Sequence, residues 1–300
     1  MEQNVRGRVD CYGEIKLKKI CVDLGATNVK CALVDNYKLL KTAVVPTDTS
    51  NGLDGVTRSI KAAIDKFIGS GETEICISSA GVIDISSKTV IYATDNLPGY
   101  TGFDIGKWVY DNYKLPCVAI NDGHAALLGE LALNKEYRVK RVVMLTFGSG
   151  VGGSYAVNGK IIDTEENNHA LFGHIVIEQN GIPCNCGNRG CAEQYLSGRA
   201  INKAALSAGI AHNKVFDEYF AGNAAAITVV DGIRKNLSVL LQKINAVCPF
   251  DICILGGGVI DGVGDRFDKV FSGLNYKIVK AAAGNYAGVL GAYYLADGNA

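Results

Sequence analysis

Four residues in the stretch from His174 to Glu193 have the types and spacing to hold a metal ion: His174, Cys184, Cys186 and Cys191. One imidazole and three thiolates make a closed tetrahedral set. Such a set suits Zn²⁺, leaves no position for water, and so serves structure rather than catalysis. Gly187 and Gly190 let the short loop from Cys186 to Cys191 fold back on the ion. The alternative is a run of ordinary buried thiols, which the Asn, Arg and Gly residues between the cysteines fit poorly.

Two glycine-containing turns offer a different chemistry. Gly25-Ala26-Thr27-Asn28 follows Asp23 and separates two strand-like runs. Backbone amides, a Thr hydroxyl and a carboxylate together suit phosphate oxygens and Mg²⁺, although a plain hairpin turn would read the same way. Gly148-Ser149-Gly150-Val151-Gly152-Gly153 is the second turn, and its glycines let amides approach phosphates without Cβ clashes. No Gly-Lys-Ser/Thr ends it and no helix opens from it, which excludes a P-loop and a dinucleotide fingerprint. Asn121-Asp122 stands where a strand ends and a helix begins, the usual place for ligand chemistry in open α/β folds. Helix capping by Asp122 is the competing role.

The elements that must position these residues alternate. Strands are expected over 20–24, 29–34, 74–79, 90–93, 116–120, 141–146, up to 157, 252–255 and 277–279. Helices are expected over 53–68, 104–113 (capped by Asp104), 125–133, 200–208, 224–247, 267–271 and 286–295. Each half opens with strands around a glycine-rich hairpin, so the chain reads as two related α/β domains facing one another. The expected division is an extension over 1–18, a domain over 19–120, and a domain over 121–285 with the metal site. The C-terminal helix of about 286–297 is expected to pack back on the first domain.

The chain has 300 residues, with 30 basic and 30 acidic side chains. That length supports a sizeable core, and the neutral balance argues against nucleic acid as a partner. No apolar run approaches membrane-spanning length, and the first residues lack a secretory signal. Seven further cysteines, mostly in apolar strands, read as reduced thiols of a cytoplasmic protein.

In order along the chain, Asp23-Leu-Gly-Ala-Thr27-Asn28, Asn121-Asp122, Thr146-Phe-Gly-Ser-Gly-Val-Gly-Gly153, Gly173-His174, Cys184-Asn-Cys186-Gly-Asn-Arg-Gly-Cys191-Ala-Glu193 and Gly256-Gly-Gly258 resemble the motifs of ROK sugar kinases. The resemblance spans about residues 19 to 297. It implies two actin-like ATPase (ribonuclease H-like) domains around a cleft, and transfer of the γ-phosphate of ATP to a sugar hydroxyl. It further implies Mg²⁺ at Asp23 and phosphate contacts from Gly25, Thr27, Asn28, Gly148, Ser149 and Gly150. Gly257 and Gly258 would lie near the adenosine. Asp122 would be the general base. Gly81, Thr94, Asn96, Asn121, His174 and Glu193 would line the sugar, so that His174 serves both the zinc and the pocket. A homodimer is implied as well.

The chain departs from the family pattern at four positions. Leu171 stands three residues before His174, where the family usually has a Glu that contacts the sugar. Ala26 replaces the usual Gly and Ser149 the usual Thr. Val82 stands where some N-acetylmannosamine kinases of the family carry Arg. Glucose is the expected substrate on family grounds, with N-acetylmannosamine or another hexosamine next. A sugar-binding protein with weakened catalysis is the further alternative. Family repressors carry a helix-turn-helix ahead of the first hairpin, for which the residues before 19 are too few.

Overall fold

The computed structural model describes residues 8–9, 15–16, 18–94, 96–163 and 171–298. The chain forms two compact units, one of residues 1–135 with 283–300 and one of residues 136–282. Most of the expected extension over 1–18 lies outside the described residues. Of its remainder, β1 (Arg8–Val9) pairs antiparallel with β2 (Ile15–Lys16).

The first unit continues with β3 (Lys18–Leu24), β4 (Asn28–Asp35), β5 (Lys38–Pro46), α1 (Gly52–Ile64) and β6 (Glu72–Ser79). It proceeds through β7 (Val82–Asp84), β8 (Thr89–Tyr92), α2 (Ile105–Tyr113), β9 (Cys117–Asn121) and α3 (Asp122–Leu133). The second unit holds β10 (Arg141–Phe147), β11 (Val151–Val157), β12 (Lys160–Ile161), α4 (Glu193–Leu196), α5 (Gly198–Ser207) and α6 (Val215–Phe220). After these come α7 (Ala224–Val247), β13 (Ile252–Gly256), α8 (Gly258–Val263), α9 (Phe267–Phe271) and β14 (Ile278–Lys280). The chain then returns to the first unit for α10 (Ala287–Ala296).

The sheet of the first unit has strand order β5-β4-β3-β6-β9. Its β3–β4–β5 edge is antiparallel, and β6 and β9 add in parallel. The second unit repeats the plan as β12-β11-β10-β13-β14, again an antiparallel edge followed by parallel strands. Central strands buried on both faces read as unbroken apolar runs, which is why β10 and β13 are conspicuous in the sequence. Edge strand β5 escaped the sequence reading because only Ala43 and Val45 turn toward the core while Leu39, Leu40 and Val44 are exposed, so no clean alternation announces it.

Helix α1 buries Val56, Ile60, Ala63 and Ile64 at helical spacing. It ends at Ile64, earlier than the expected 68, and the chain turns through Gly69 at φ +83°. The cap of α2 is as expected: Asp104 accepts from the Lys107 amide. In α7 the Asn223 side chain caps the first turn, and Val230, Ile233, Leu237, Leu240, Leu241 and Ile244 form the buried stripe. Ile227, expected on that stripe, is exposed at its border.

On the other side of the first sheet, α10 lies against α3 with almost no side chain between them. A Cβ on Gly291 would stand 1.7 Å from the Ala125 carbonyl oxygen, and one on Gly129 would stand 2.3 Å from that of Ala287. In an exposed helix Gly→Ala stabilises by about 1 kcal/mol. Gly291→Ala should instead lower the unfolding free energy, by about 2 kcal/mol, because backbone must move to admit the methyl group. Gly232→Ala in α7, where the added atom meets open space, should raise it by up to about 1 kcal/mol. Urea unfolding of both variants checks the pair, and wild-type stability in the Gly291 variant would mean that the helices separate freely.

Candidate functional site

In the first unit, the pairing of β3 with both neighbours builds a polar cluster at its carboxyl end. Asp23 stands opposite Lys30 of β4 and Ser78 of β6. The Ser78 hydroxyl donates to Asp23 Oδ1 at 2.9 Å, and Lys30 Nζ lies 3.4 Å from Oδ2. Neither partner was singled out in the sequence. The signal for Lys30 was present, since a tight turn over 25–27 places residues 23 and 30 across from each other. Gly288 of α10 packs on the same carboxylate, where a Cβ would stand 2.5 Å from Asp23 Oδ1.

The turn after Asp23 is closed by the Gly25 amide donating to the Asn28 carbonyl at 3.0 Å. Thr47 buttresses it, its hydroxyl donating to the Gly25 carbonyl at 2.7 Å and its amide to the Thr27 carbonyl at 3.0 Å. Thr27 and Asn28 are exposed.

At the β9–α3 junction the cap is Asn121, not Asp122. Asn121 Oδ1 accepts from the Gly123 and His124 amides at 2.9 and 3.1 Å. Its Nδ2 donates to the Gly81 carbonyl at 2.7 Å and to Asp122 Oδ1 at 3.1 Å. One amide thus fixes Gly81, the helix start and the neighbouring carboxylate. Gly81 sits at φ +105°, and a Cβ there would meet the Tyr92 carbonyl oxygen at 2.7 Å. Thr94 and Asn96 lie in the exposed turn after β8, where the Thr94 carbonyl accepts from the Leu97 amide at 2.9 Å.

Asp122 Oδ1 also accepts from its neighbour's amide, Gly123, at 2.8 Å. Crowding by protein pushes the carboxyl up to about 6, and the charge of Asp23 adds to the rise against these hydrogen bonds. The residue keeps an open face to solvent. Solvent screens the charge there, so the shift bears on proton affinity rather than on fold stability.

In the second unit, Gly148, Ser149 and Gly150 form the turn between β10 and β11, closed by the Gly148 amide donating to the Gly150 carbonyl at 3.0 Å. The α4–α5 segment grips this turn. The Gly198 amide donates to the Gly148 carbonyl at 2.8 Å, and Arg199 Nε donates to the Ser149 carbonyl at 2.8 Å. Glu193 Oε2 accepts from the Val151 amide at 3.0 Å. A Cβ on Gly150 would lie 2.4 Å from that same oxygen, so the glycine makes room for the carboxylate. Gly257 follows β13 at φ +90° with its α-carbon face against Phe147, and Gly258 opens α8. Parallel pairing of β10 with β13 brings the two glycine turns to one end of this sheet, with Thr146 opposite Gly256.

The four predicted metal ligands converge in the same unit. Their ligand atoms all lie within 4.8 Å of one another. Cys184 Sγ is 3.6 Å from His174 Nδ1, and Cys186 Sγ is 3.5 Å from Cys191 Sγ. Thiolates on a tetrahedral zinc stand about 3.8 Å apart, from Zn–S bonds of about 2.3 Å. The cysteines are unbridged, and the donor set fits Zn²⁺. Gln194, not anticipated, donates from Nε2 to Cys184 Sγ at 3.5 Å, a contact that orients the thiolate from outside. Leu171 directly precedes the short 3₁₀ turn Phe172–His174 and is half exposed. Among the described residues no helix is long and apolar enough to cross a membrane.

The chain belongs to the ROK family, whose model matches residues 19–299. It is 28% identical to a glucokinase of Halalkalibacterium halodurans, over 91% of this chain and 93% of that one. It is also 28% identical to the N-acetylmannosamine kinase of Citrobacter koseri, over 94% of this chain and all of that one. Among solved structures it is similar to a ROK family glucokinase from Streptomyces griseus in complex with glucose and AMPPNP. There the TM-score is 0.72 at 25% identity, covering 93% of this chain and 98% of that one.

The metal cluster carries its own test. Purified protein should hold about one zinc per chain by elemental analysis. Cys186→Ser should reduce that content and lower Tm by more than about 5 °C, equivalent to about 2 kcal/mol. Protein that keeps wild-type Tm after complete metal removal would show that the cluster does not support the fold.

Proposed function

We propose that this chain, an ATP-dependent sugar kinase of the ROK family, phosphorylates a hydroxyl of a hexose, with glucose the default substrate, used weakly, and N-acetylmannosamine or another hexosamine the alternative. Its two units are read as actin-like ATPase domains, with the C-terminal helix belonging to the first. The observation that carries the reading is Asp122: a carboxyl at a strand-to-helix junction, held by Asn121 and raised to about 6. A group with that proton affinity is ionised near neutrality and still accepts a proton readily, as general base catalysis requires.

In the proposed reaction Asp122 accepts the proton of the sugar hydroxyl as its oxygen bonds to the γ-phosphorus, and ADP leaves. The turn at Gly148, Ser149 and Gly150 and the turn at Gly25, Thr27 and Asn28 cradle the phosphates. Asp23 is an oxygen ligand beside a second carboxylate, and so fits Mg²⁺, which neutralises phosphate charge when bound. Gly257 and Gly258 receive the adenosine. Gly81, Thr94, Asn96, His174 and Glu193 line the sugar, with Asn121 acting chiefly by fixing Gly81 and Asp122. Zn²⁺ at His174, Cys184, Cys186 and Cys191 shapes the pocket wall and takes no part in bond making. The partners are sugar and ATP without nucleic acid or membrane, the assembly is a homodimer, and the compartment is the cytoplasm.

Asp122→Asn should lower turnover at least about a hundredfold, the scale of a positioned base, with little change in MgADP affinity. The wild-type rate should fall below about pH 6, where Asp122 takes up its proton, and the variant should lose that limb. Steady-state rates across pH, with wild-type turnover in the variant or a flat wild-type profile, would remove Asp122 from the role.

Leu171 decides the sugar. A leucine accepts no hydrogen bond, so a buried sugar hydroxyl facing it loses about 1–3 kcal/mol, whereas an acetyl methyl loses nothing. Wild type should therefore show a raised KM for glucose and a higher kcat/KM on another sugar in a panel of glucose, mannose and their N-acetyl amines. Leu171→Glu should raise kcat/KM for glucose by about ten- to a hundredfold. Efficient wild-type use of glucose, unimproved by the substitution, would show that Leu171 does not face the sugar.

A further inference from the structure

The turn from Phe147 to Gly153 is rich in glycine but contains neither Lys nor Arg. Amide dipoles bind phosphate well, yet a nucleotide triphosphate brings several negative charges, and one of the two ionised groups gripping this turn is the Glu193 carboxylate. Uncompensated, that carboxylate would repel the ligand the turn is shaped for.

Arg199 supplies the missing charge. Its Nε donates to the Ser149 carbonyl at the tip of the turn, at 2.8 Å. Its Nη2 stands 4.0 Å from Glu193 Oε1, beyond hydrogen-bond reach. The side chain is 67% exposed even so. One edge of the guanidinium is anchored and its Nη protons are not consumed by the carboxylate. A planar fork in that state is built to meet phosphate oxygens.

We propose that Arg199 is a ligand of the nucleotide phosphates. Through its bond to Ser149 it also holds the turn in the shape that receives them. The inference rests on the reading of the 148–150 turn as the phosphate site of a kinase. Lys203, one helical turn further along α5, carries the same charge and is exposed, but no hydrogen bond ties it to the turn. It serves as the control for charge alone.

The test is titration calorimetry with MgADP on full-length protein, together with KM values for ATP and for the best sugar. Arg199→Ala and Arg199→Gln should weaken MgADP binding and raise the KM for ATP by about ten- to a hundredfold, the effect of losing a hydrogen bond to a charged group. The KM for the sugar should change by less than about threefold. The salt dependence of MgADP affinity should also flatten, which loss of packing would not produce. Arg199→Lys should recover part of the affinity by restoring charge without the fork. Lys203→Ala should leave MgADP affinity within about twofold of wild type. Equal MgADP affinity in wild type and both Arg199 variants overturns the inference while leaving the kinase reading in place. A parallel loss of nucleotide and sugar affinity with a lowered Tm overturns it too, since that is the mark of a structural role. Wild-type protein that binds no MgADP sinks the kinase reading, and this inference with it.

Discussion

The approach of α10 to α3 governs the first unit. Gly129 and Gly291 remove the side chains that would hold the two backbones apart, and Gly288 does the same between α10 and the Asp23–Ser78 pair. Dispersion between close backbones is gained over a long contact, but it tolerates no added methyl group. The constraint reaches the polar cluster directly. Helix α3 begins with Asp122, and α10 rests on Asp23, so the packing that holds the helices together also sets two carboxylates near enough for one to raise the proton affinity of the other. Buried Lys19 secures the far end of α10, its ammonium 3.0 Å from Glu74 and donating to the Ala296 carbonyl at 2.6 Å. A buried cation with both an ionic and a carbonyl partner tolerates burial that a lone one would not.

The second unit solves a related problem with a different device. Its glycine turn has few contacts of its own, and rigidity is lent by the segment 193–199, which follows the last cysteine of the metal cluster after one residue. Metal ligation, through Cys191 and the Gln194 contact to Cys184, and turn geometry, through Glu193, Gly198 and Arg199, therefore share one short piece of chain. That would be a physical reason for a closed metal site in a protein whose proposed chemistry involves no zinc: an ion held there would order the support of the glycine turn.

Much of this was legible in the sequence, and the limits have local causes. The cluster of His174, Cys184, Cys186 and Cys191 was readable because thiolate and imidazole spacing is a strong constraint with few other uses. Both glycine turns were readable because the strands flanking them are buried and apolar. Asp122 was singled out, and the capping role weighed against its proposed one falls to Asn121, since capping depends on φ and ψ at one residue that composition does not reveal. Ser78 was invisible because its significance comes from a parallel strand pair formed across 55 residues. Arg199 stood in view beside Ser197 and Gly198, yet nothing in its neighbours announces a bond to a carbonyl 50 residues earlier. Strand β5 and the short helices α4, α6 and α8 carry too few buried residues to set a period.

The discontinuity of the first unit bears on how the protein is made. Its sheet and α1 to α3 are translated first, but the helix that covers one face of that sheet comes from residues 287–296, after every residue of the second unit has been synthesised. During translation the face bearing Cys21, Ala32, Val34 and Cys76 lacks Val289, Ala292 and Tyr293, with which it packs in the finished molecule. The second unit is continuous in sequence and can close its own core as soon as it leaves the ribosome. The first unit therefore cannot complete its core until residues 287–296 have been made, and until then one apolar sheet face lacks its cover, the kind of surface that chaperones hold.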